Sequence, residues 1–341
     1  MLLQAIKKLK AHNFANTYLL LGTENFLLQE MKNAIVEHAI EEHEHDFNLS
    51  TYDLEETPIE VAIEDAETLP FMGDRRIVVV TNPFFLTGEK SKSKVEHNTD
   101  RFLAYIQQPA PYTIFVILAS YAKLDERKKI VKTLKSQSEL FEAQTLEEKD
   151  LLQWMTHRAK QSGVTLSPHA GEELLKIAGV HLAVLAQEID KMAMYIGPGG
   201  GEISIEVVQK LAAKTMEHNI FELIEKIVLR KIDQALEIFY ELLRNNEEPI
   251  KILALMTTQF RLIYQVKNLS DQGYSQQKIA GILKVHPYRV KLAAGQARYF
   301  NDQELMNLMD GLAEADYSMK SGKVDKVLAV ELLLLKIANV K

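Results

Sequence analysis

Apolar and polar positions follow two different patterns along the first 144 residues. Some runs are apolar at nearly every position, which is typical of strands buried on both faces of a parallel sheet. Between them, apolar residues recur at every third or fourth position, which predicts amphipathic helices. The predicted strands are Tyr18 to Gly22, Phe47 to Tyr52, Arg76 to Thr81, Thr113 to Ala119 and Glu139 to Glu142, and the main helices are Leu2 to His12, Asn25 to Glu42, Pro58 to Thr68 and Glu126 to Lys135. Repeated strand–helix–strand units predict an α/β domain with a parallel sheet.

The strand pattern ends near residue 144, and helical patterns follow it. Thr145 and Glu148 have the spacing of a capping box before a helix. Ser167 and Pro168 fit the N-cap and the first position of the next helix. The glycine-rich segment 197–201 predicts a turn. These signals indicate a small helical unit.

Helical spacing continues through the C-terminal third of the chain. Its clearest example is the series Ile252, Met256, Phe260, Ile263 and Val266. The predicted fold class is therefore α/β plus all-α, in three domains. These are an α/β domain over residues 1–144, a small helical domain over 145–215 and a larger helical domain over 216–341.

Charge and composition narrow the classes of function. The net charge is −7, and residues 216–341 hold 17 Lys+Arg against 16 Asp+Glu, which argues against a protein that coats nucleic acid. The chain has no cysteine, so disulfides and thiolate chemistry are excluded. Apolar runs such as Ile77 to Val80 are too short to cross a bilayer, and the charged pattern of the first ten residues argues against a signal peptide. We expect a cytoplasmic protein without membrane contact.

The segment Tyr18 to Glu30 resembles the phosphate-binding turn of a nucleotide hydrolase, because a strand leads through Gly22 into a helix. A working phosphate loop also needs a second glycine, a lysine for the phosphates and a hydroxyl for Mg²⁺. This segment has none of them at the required positions. We therefore expect a nucleotide-binding ancestor without ATPase activity of its own, and no cofactor or metal. An active nucleotide hydrolase with an unusual loop is one alternative.

Four apolar residues, Leu69, Pro70, Phe71 and Met72, lie between a predicted helix and a predicted strand. Loops are normally polar and run over the surface, so this composition needs an explanation. One explanation is a plug that packs back on the edge of the sheet. The other is an exposed hydrophobic wedge for a pocket on a partner protein, because an aromatic anchor with aliphatic neighbours is a common hot-spot composition.

The segment Tyr274 to Arg298 has the pattern of a helix-turn-helix. It carries five Lys/Arg and no acidic residue between Lys278 and Arg298. The candidate phosphate contacts are Lys284, Arg289, Lys291 and Arg298. A helix-turn-helix DNA-binding protein is thus a second alternative, although the turn has Lys284 where glycine is favoured. Packing of this segment within the helical domain is the other interpretation.

Taken in order, several segments resemble the delta subunit of bacterial DNA polymerase III. They are Tyr18 to Glu24 with Phe26 and Glu30, Leu69 to Phe71 with Gly73, Arg75, Arg76 and the following strand, His181 to Tyr195, Gln259 to Arg261, His286 to Lys291, and Ala315 to Tyr317 with Lys320 and Gly322. They span nearly the whole chain. At Lys284 this sequence departs from many relatives, which have glycine there.

The resemblance implies an AAA+-like α/β domain, a helical lid domain and a C-terminal helical collar domain. It also implies a subunit of the polymerase holoenzyme whose collar joins the gamma/tau ATPase subunits and the delta-prime subunit, and which acts on primer-template DNA within that complex. The first domain would bind the beta sliding clamp and help to hold the ring open. The clamp-binding element of the family corresponds to Leu69, Pro70, Phe71 and the adjacent Met72, with Phe71 the best match. The family lacks a working phosphate loop, in agreement with the segment around Gly22.

Overall fold

A computed structural model describes the backbone of residues 2–88 and 93–339 and the side chains of residues 5–88 and 93–337. Contacts between residues divide the chain into two compact units, Met1–Thr145 and Leu146–Lys341. The division into three domains stays a prediction. The predicted fold class is confirmed, because a parallel α/β sheet is followed by helices.

The first unit is built on a parallel sheet. Its strands are β1 (Thr17–Gly22), β2 (Leu49–Asp53), β3 (Arg76–Thr81), β4 (Thr113–Ala119) and β5 (Glu139–Ala143), and its helices are α1 (Leu2–Lys10), α2 (Asn25–Ala39), α3 (His45–Asn48), α4 (Ile59–Ala66), α5 (Thr99–Gln107) and α6 (Lys129–Gln137), with short 3₁₀ turns at Glu42–Glu44 and Phe84–Leu86. In the described part of this unit the strands pair in the order β2-β3-β4-β1-β5. The register places Leu19 beside Ile117 on one side and Leu140 on the other. Each predicted strand is present within a few residues.

The core of the first unit follows the apolar pattern of the sequence. Strand β4 is buried at all seven positions, as expected for a central strand covered on both faces. Helix α4 contributes Ile59, Ala62, Ile63 and Ala66, which share one face and are fully buried. This packing fixes α4 against the sheet, and the loop that follows α4 therefore starts from a rigid position.

Several local predictions in the first unit are wrong. Helix α2 ends at Ala39, three residues before its predicted end at Glu42. Residues 47 and 48 belong to the helical turn α3, and β2 starts only at Leu49. Helix α6 starts three residues later than predicted, at Lys129. Helix α5 was not predicted, although its N-cap Asn98 accepts a hydrogen bond from the Arg101 amide. The helical spacing of its buried residues Phe102, Tyr105 and Ile106 was the available signal in the sequence.

The second unit is helical apart from one short strand pair among its described residues. Its helices are α7 (Glu148–Gln161), α8 (Pro168–Ala178), α9 (Leu182–Ile196), α10 (Ile205–Leu211), α11 (Met216–Val228), α12 (Ile232–Arg244), α13 (Pro249–Asp271), α14 (Gln276–Leu283), α15 (Pro287–Ala297), α16 (Asp302–Lys320) and α17 (Lys326–Asn339), and the strand pair is β6 (Thr165–Leu166) with β7 (Glu202–Ile203). The long helix α13 lies at the centre and packs against α11, α15, α16 and α17. The predicted series on α13 is buried throughout.

The helix ends of the second unit test the capping signals. The Ser167 hydroxyl accepts a hydrogen bond from the Ala170 amide, and Pro168 opens α8, as predicted. The capping box at Thr145 is wrong, because Glu147 occupies the N-cap position of α7. Across residues 2–88 and 93–339, no helix combines the length and the apolar composition that crossing a membrane demands.

Candidate functional site

The wedge loop, residues Leu69–Met72, leaves α4 and leads towards β3. Its side chains are largely open to solvent, with 69% of Leu69, 54% of Phe71 and 84% of Met72 exposed. The explanation in which this segment packs back on the sheet as a plug is therefore wrong. A contiguous apolar surface of this kind is typical of a site for a partner protein.

Both ends of the wedge loop are fixed to the sheet. The Thr113 hydroxyl donates to the Ala66 carbonyl at 2.7 Å, and the Tyr112 hydroxyl donates to the Glu67 carbonyl at 2.7 Å. A largely buried ion pair joins Arg76, the first residue of β3, to Asp65 of α4. These contacts satisfy the carbonyls at the end of α4 and hold the two ends of the loop at a set separation.

The middle of the wedge loop is held by Asn48. The Phe71 amide donates to Asn48 Oδ1 at 2.7 Å, and Asn48 Nδ2 donates to the Phe71 carbonyl at 2.8 Å. The Asn48 side chain is fully buried. Both main-chain polar groups of Phe71 are thus paired inside the protein while its ring stays exposed.

Phe47 lies beside the wedge loop. Its ring centroid is 5.3 Å from that of Phe71, with the planes inclined by 49°, and 56% of Phe47 is exposed. Sequence reasoning missed both Phe47 and Asn48, because they lie more than 20 positions before Phe71 in a strongly acidic stretch. An aromatic residue within that acidic stretch was the available signal in the sequence.

The wedge loop ends in a tight turn. Met72 has a left-handed backbone with φ of +53°, which is uncommon for a residue with a side chain. A Cβ atom on the next residue, Gly73, would lie 1.9 Å from the Glu44 carboxylate. Glycine at this position therefore allows the turn to approach the 3₁₀ turn that holds Glu44.

The turn around Gly22 packs against strand β5. A Cβ atom on Gly22 would lie 2.0 Å from the Ala143 carbonyl oxygen, which also accepts a hydrogen bond from the Glu24 amide at 3.1 Å. Glu24 occupies the N-cap position of α2. The backbone groups at this turn thus contact β5.

The basic helix pair consists of α14, the turn at residues 284–286 and α15. The helix-turn-helix elements are present as predicted, and Lys284 has the left-handed backbone of a C-terminal cap, with φ of +54°. Lys291 Nζ lies 2.8 Å from both carboxylate oxygens of Glu148, and Arg289 Nη1 lies 3.6 Å from Glu217. Two of the four predicted phosphate contacts therefore already face carboxylates.

The other two predicted phosphate contacts differ from this pair. Lys284 and Arg298 are exposed, and among the described residues neither forms an ion pair. They flank α15 at its two ends. Arg289 and Lys291 are thus paired with carboxylates, whereas Lys284 and Arg298 are exposed to solvent.

His286 is the N-cap residue of α15, the second helix of the basic helix pair. Its Nδ1 accepts from the Tyr288 amide at 3.1 Å, and its Nε2 lies 2.8 Å from the Leu146 carbonyl. This pattern requires the neutral ring with its proton on Nε2. Burial lowers the pKa of His286, as it does that of His218. In the described part of the chain, no three His, Asp or Glu side chains are placed to hold a metal ion.

Two family models match the chain. The model "DNA polymerase III, delta subunit" matches residues 18–144, and the model "DNA polymerase III delta subunit, C-terminal domain" matches residues 217–337. The chain is 50% identical over 331 residues to DNA polymerase III subunit delta of Bacillus subtilis, covering 97% of this chain and 95% of that protein. The chain belongs to the DNA polymerase III delta-subunit family. The resemblance seen in the sequence is confirmed.

Two further relatives of the delta-family chain are a solved structure and a more distant sequence. A solved structure of the Bacillus subtilis DNA clamp loader delta protein (YqeN) is 49% identical, covers 100% of both chains and has a TM-score of 0.80. A probable DNA polymerase III subunit delta of Aquifex aeolicus is 23% identical over 258 residues, covering 74% of this chain and 72% of that protein. The family assignment therefore applies to the full length of the chain.

Proposed function

We propose that this delta-family chain is the clamp-loader subunit that binds the beta sliding clamp and helps to open the ring during replication. The observation that carries the proposal is the wedge loop, whose apolar side chains are exposed while its main chain is held by the protein. A delta-family protein with such a loop has the form required to insert Phe71 into an apolar pocket.

The expected binding energy comes mainly from Leu69 and Phe71. Full burial of a side chain of this size contributes about 1.5–3 kcal/mol. Ordering a flexible loop would cancel part of this gain, but the contacts of Asn48 and the fixed φ of Pro70 reduce that cost. Two well-placed anchors are therefore enough to define a specific site.

Ring opening follows if the wedge loop fits an open ring better than a closed one. A ligand shifts a conformational equilibrium by the difference between its affinities for the two states. A tenfold preference for the open ring corresponds to about 1.4 kcal/mol. On this proposal the chain acts mechanically, and its role needs no chemistry of its own.

ATP would be hydrolysed elsewhere in the loader, in the gamma/tau subunits. The turn around Gly22 supports this division, because its sequence lacks the lysine and hydroxyl that bind phosphate and Mg²⁺. The chain would nevertheless be part of a DNA polymerase holoenzyme, and it would act in the cytoplasm.

The collar, residues 216–341, would join the gamma/tau and delta-prime subunits. Helix α17 exposes Leu328, Leu332 and Leu335, which have helical spacing and are each 44–50% exposed. An apolar stripe on an outer helix supports a role in assembly. Its exposure is the feature that the collar proposal rests on.

Primer-template DNA would meet the basic helix pair only within the complex. Lys284 and Arg298 are the better candidates for phosphate contacts, while Arg289 and Lys291 would first have to leave Glu217 and Glu148. The carboxylates beside α15 weigh against a free-standing helix-turn-helix regulator. A sequence-selective, salt-dependent shift of duplex DNA by the chain alone would favour that alternative.

The proposal is tested by binding of the purified chain to the purified beta clamp of the same organism. Wild type is compared with Leu69→Ala/Phe71→Ala and with the control Met194→Ala/Ile282→Ala, which removes exposed apolar side chains from the second unit. We expect the wedge variant to lose binding and the control to keep it. A folded wild type that does not bind the clamp contradicts the proposal, and binding that survives in the wedge variant moves the site elsewhere.

A further inference from the structure

We propose that Asn48 and Phe47 are positioning residues that hold Phe71 in the geometry required for clamp binding. This inference rests on the proposed function and adds a second segment, residues 47–48, to the site. The segment belongs to a different element from the wedge loop and meets it only in the folded protein. Its contacts act on Phe71, the residue proposed to enter the clamp.

The amide of Asn48 is chemically matched to the main chain of Phe71. An asparagine side chain carries one acceptor oxygen and an NH₂ donor group, so it can pair with a peptide N–H and C=O at the same time. Both bonds are short, at 2.7 and 2.8 Å, and Asn48 is fully buried. In the folded protein the Asn48 side chain therefore has no contact with solvent. An aspartate could accept from the Phe71 amide but could not donate to the carbonyl.

Phe47 contacts the side chain of Phe71. Its ring contacts the Phe71 ring in a tilted arrangement at 5.3 Å. Because both rings are more than half exposed, this contact is a restraint on the surface and leaves the hydrophobic core unchanged. The main chain of Phe71 is thus fixed by Asn48, and its ring is restrained by Phe47.

These restraints raise the fraction of molecules in which the wedge loop already has the conformation that binds the clamp. Nine residues separate the end of α4 at Ala66 from the start of β3 at Arg76. Without the restraints, this segment would sample other conformations, and the apparent affinity would fall in proportion to the competent fraction. We expect Asn48→Ala to weaken clamp binding about tenfold and Phe47→Ala about threefold.

A double-mutant cycle separates positioning from a general effect on folding. The clamp affinity of wild type, Asn48→Ala, Phe71→Ala and the double variant is measured by fluorescence anisotropy up to high clamp concentration. If Asn48 acts through the Phe71 ring, its substitution costs about tenfold in wild type and less than about threefold when the ring is already absent. Equal costs in the two backgrounds overturn the inference.

Hydrogen exchange gives a readout that does not depend on the clamp. In Asn48→Ala the Phe71 amide should exchange faster, while the amides of β3 keep their protection. Uniform loss of protection across the sheet would mean a folding defect and would overturn the positioning role of Asn48.

Phe47→Ala keeps the test decisive, because an exposed ring can be removed without unfolding the chain. Phe47→Leu is the matched variant that keeps an apolar side chain but loses the ring contact. Wild-type clamp affinity in both Phe47 variants and in Asn48→Ala overturns the inference and leaves the proposed function intact. A wild-type chain that does not bind the clamp overturns both.

Discussion

The wedge loop and the basic helix pair were both candidate sites in the sequence, and the structure treats them in opposite ways. In the wedge loop, the main-chain groups of Phe71 are paired internally and the apolar side chains are left exposed. In the basic helix pair, the side chains of Arg289 and Lys291 face the carboxylates of Glu217 and Glu148. The loop leaves its apolar side chains exposed, whereas the helix pair has two of its cations in ion pairs.

The difference shows that composition alone does not make a binding surface. A surface ion pair contributes only about 0–1 kcal/mol, so Glu148 does not lock Lys291 in place. It does cancel the local positive charge that would attract a phosphate. The exposed apolar side chains of the wedge loop have no oppositely charged internal partner, and their exposed surface remains available to a partner protein.

The sharpest way to break the comparison is to remove each candidate site and measure clamp binding. Leu69→Ala/Phe71→Ala should weaken binding about a thousandfold, because two central anchors each contribute about 2 kcal/mol or more. Arg289→Ala/Lys291→Ala should stay within about twofold of wild type. Calorimetric titration with the beta clamp checks both values. A larger effect from the basic pair than from the wedge loop would reverse the assignment.

The two units that carry these regions also differ in how tightly their glycines are packed, and alanine in place of glycine tests this. Gly22→Ala should destabilise the sheet unit by about 3 kcal/mol, since the new Cβ would meet the Ala143 carbonyl. Gly295→Ala should stabilise the second unit by about 1 kcal/mol, because Gly295 is exposed within α15 with open space at its Cβ. Denaturant unfolding of the full chain gives both free energies. Equal signs would contradict this account.

The cations of the basic helix pair can be freed from their ion pairs by substituting only the acidic partners. In the assembled loader, Glu148→Gln/Glu217→Gln should raise the affinity for primer-template DNA about tenfold at low salt and steepen its salt dependence. The control Glu241→Gln/Glu248→Gln makes the same change in net charge at two exposed positions. Fluorescence anisotropy at several salt concentrations distinguishes them. An equal gain in both variants would mean that only net charge matters.

Low pH should lower the stability of the basic helix pair through protonation of His286. Burial lowers the pKa of His286 in the folded state, so below its unfolded value near 6.5 the unfolded chain binds a proton that the folded chain does not. Stability is therefore fully present above about pH 6.5 and is lost as the pH falls through the folded pKa. Because His286 is only half-buried, we expect a modest loss.

Unfolding at pH 7 and pH 5 checks this prediction in wild type, His286→Gln and the control His169→Gln, whose ring is exposed. The loss on acidification should shrink in His286→Gln and stay at the wild-type value in the control. The same loss in all three proteins would assign the effect to other groups.

The smallest predicted effect concerns the turn of the basic helix pair. Lys284→Gly should stabilise the second unit by about 0.5–1 kcal/mol, because the left-handed backbone there strains a residue with a side chain. Lys284→Ala removes the charge but keeps the strain, so it should give no gain. Thermal unfolding of both variants decides between relief of strain and loss of charge.

The sequence by itself determined the local elements with strong signals. Continuous apolar runs fixed the parallel strands, because residues buried on both faces leave no polar positions in β4. The pair Ser167 and Pro168 correctly marked the start of α8, since capping depends on neighbouring residues alone. The missing phosphate-loop residues and the resemblance to the delta family were also readable. The N-cap at Glu147 was not, because the capping-box spacing pointed to Thr145.

The tertiary structure decided which candidate groups are free and which have partners. Asn48 lies 23 positions from Phe71, and Glu148 lies 143 positions from Lys291, so no local pattern links either pair. Exposure of the wedge loop likewise depends on what the rest of the unit leaves uncovered. Periodicity reports how a segment meets its immediate neighbours, whereas the contacts that define these sites form only when distant segments pack together.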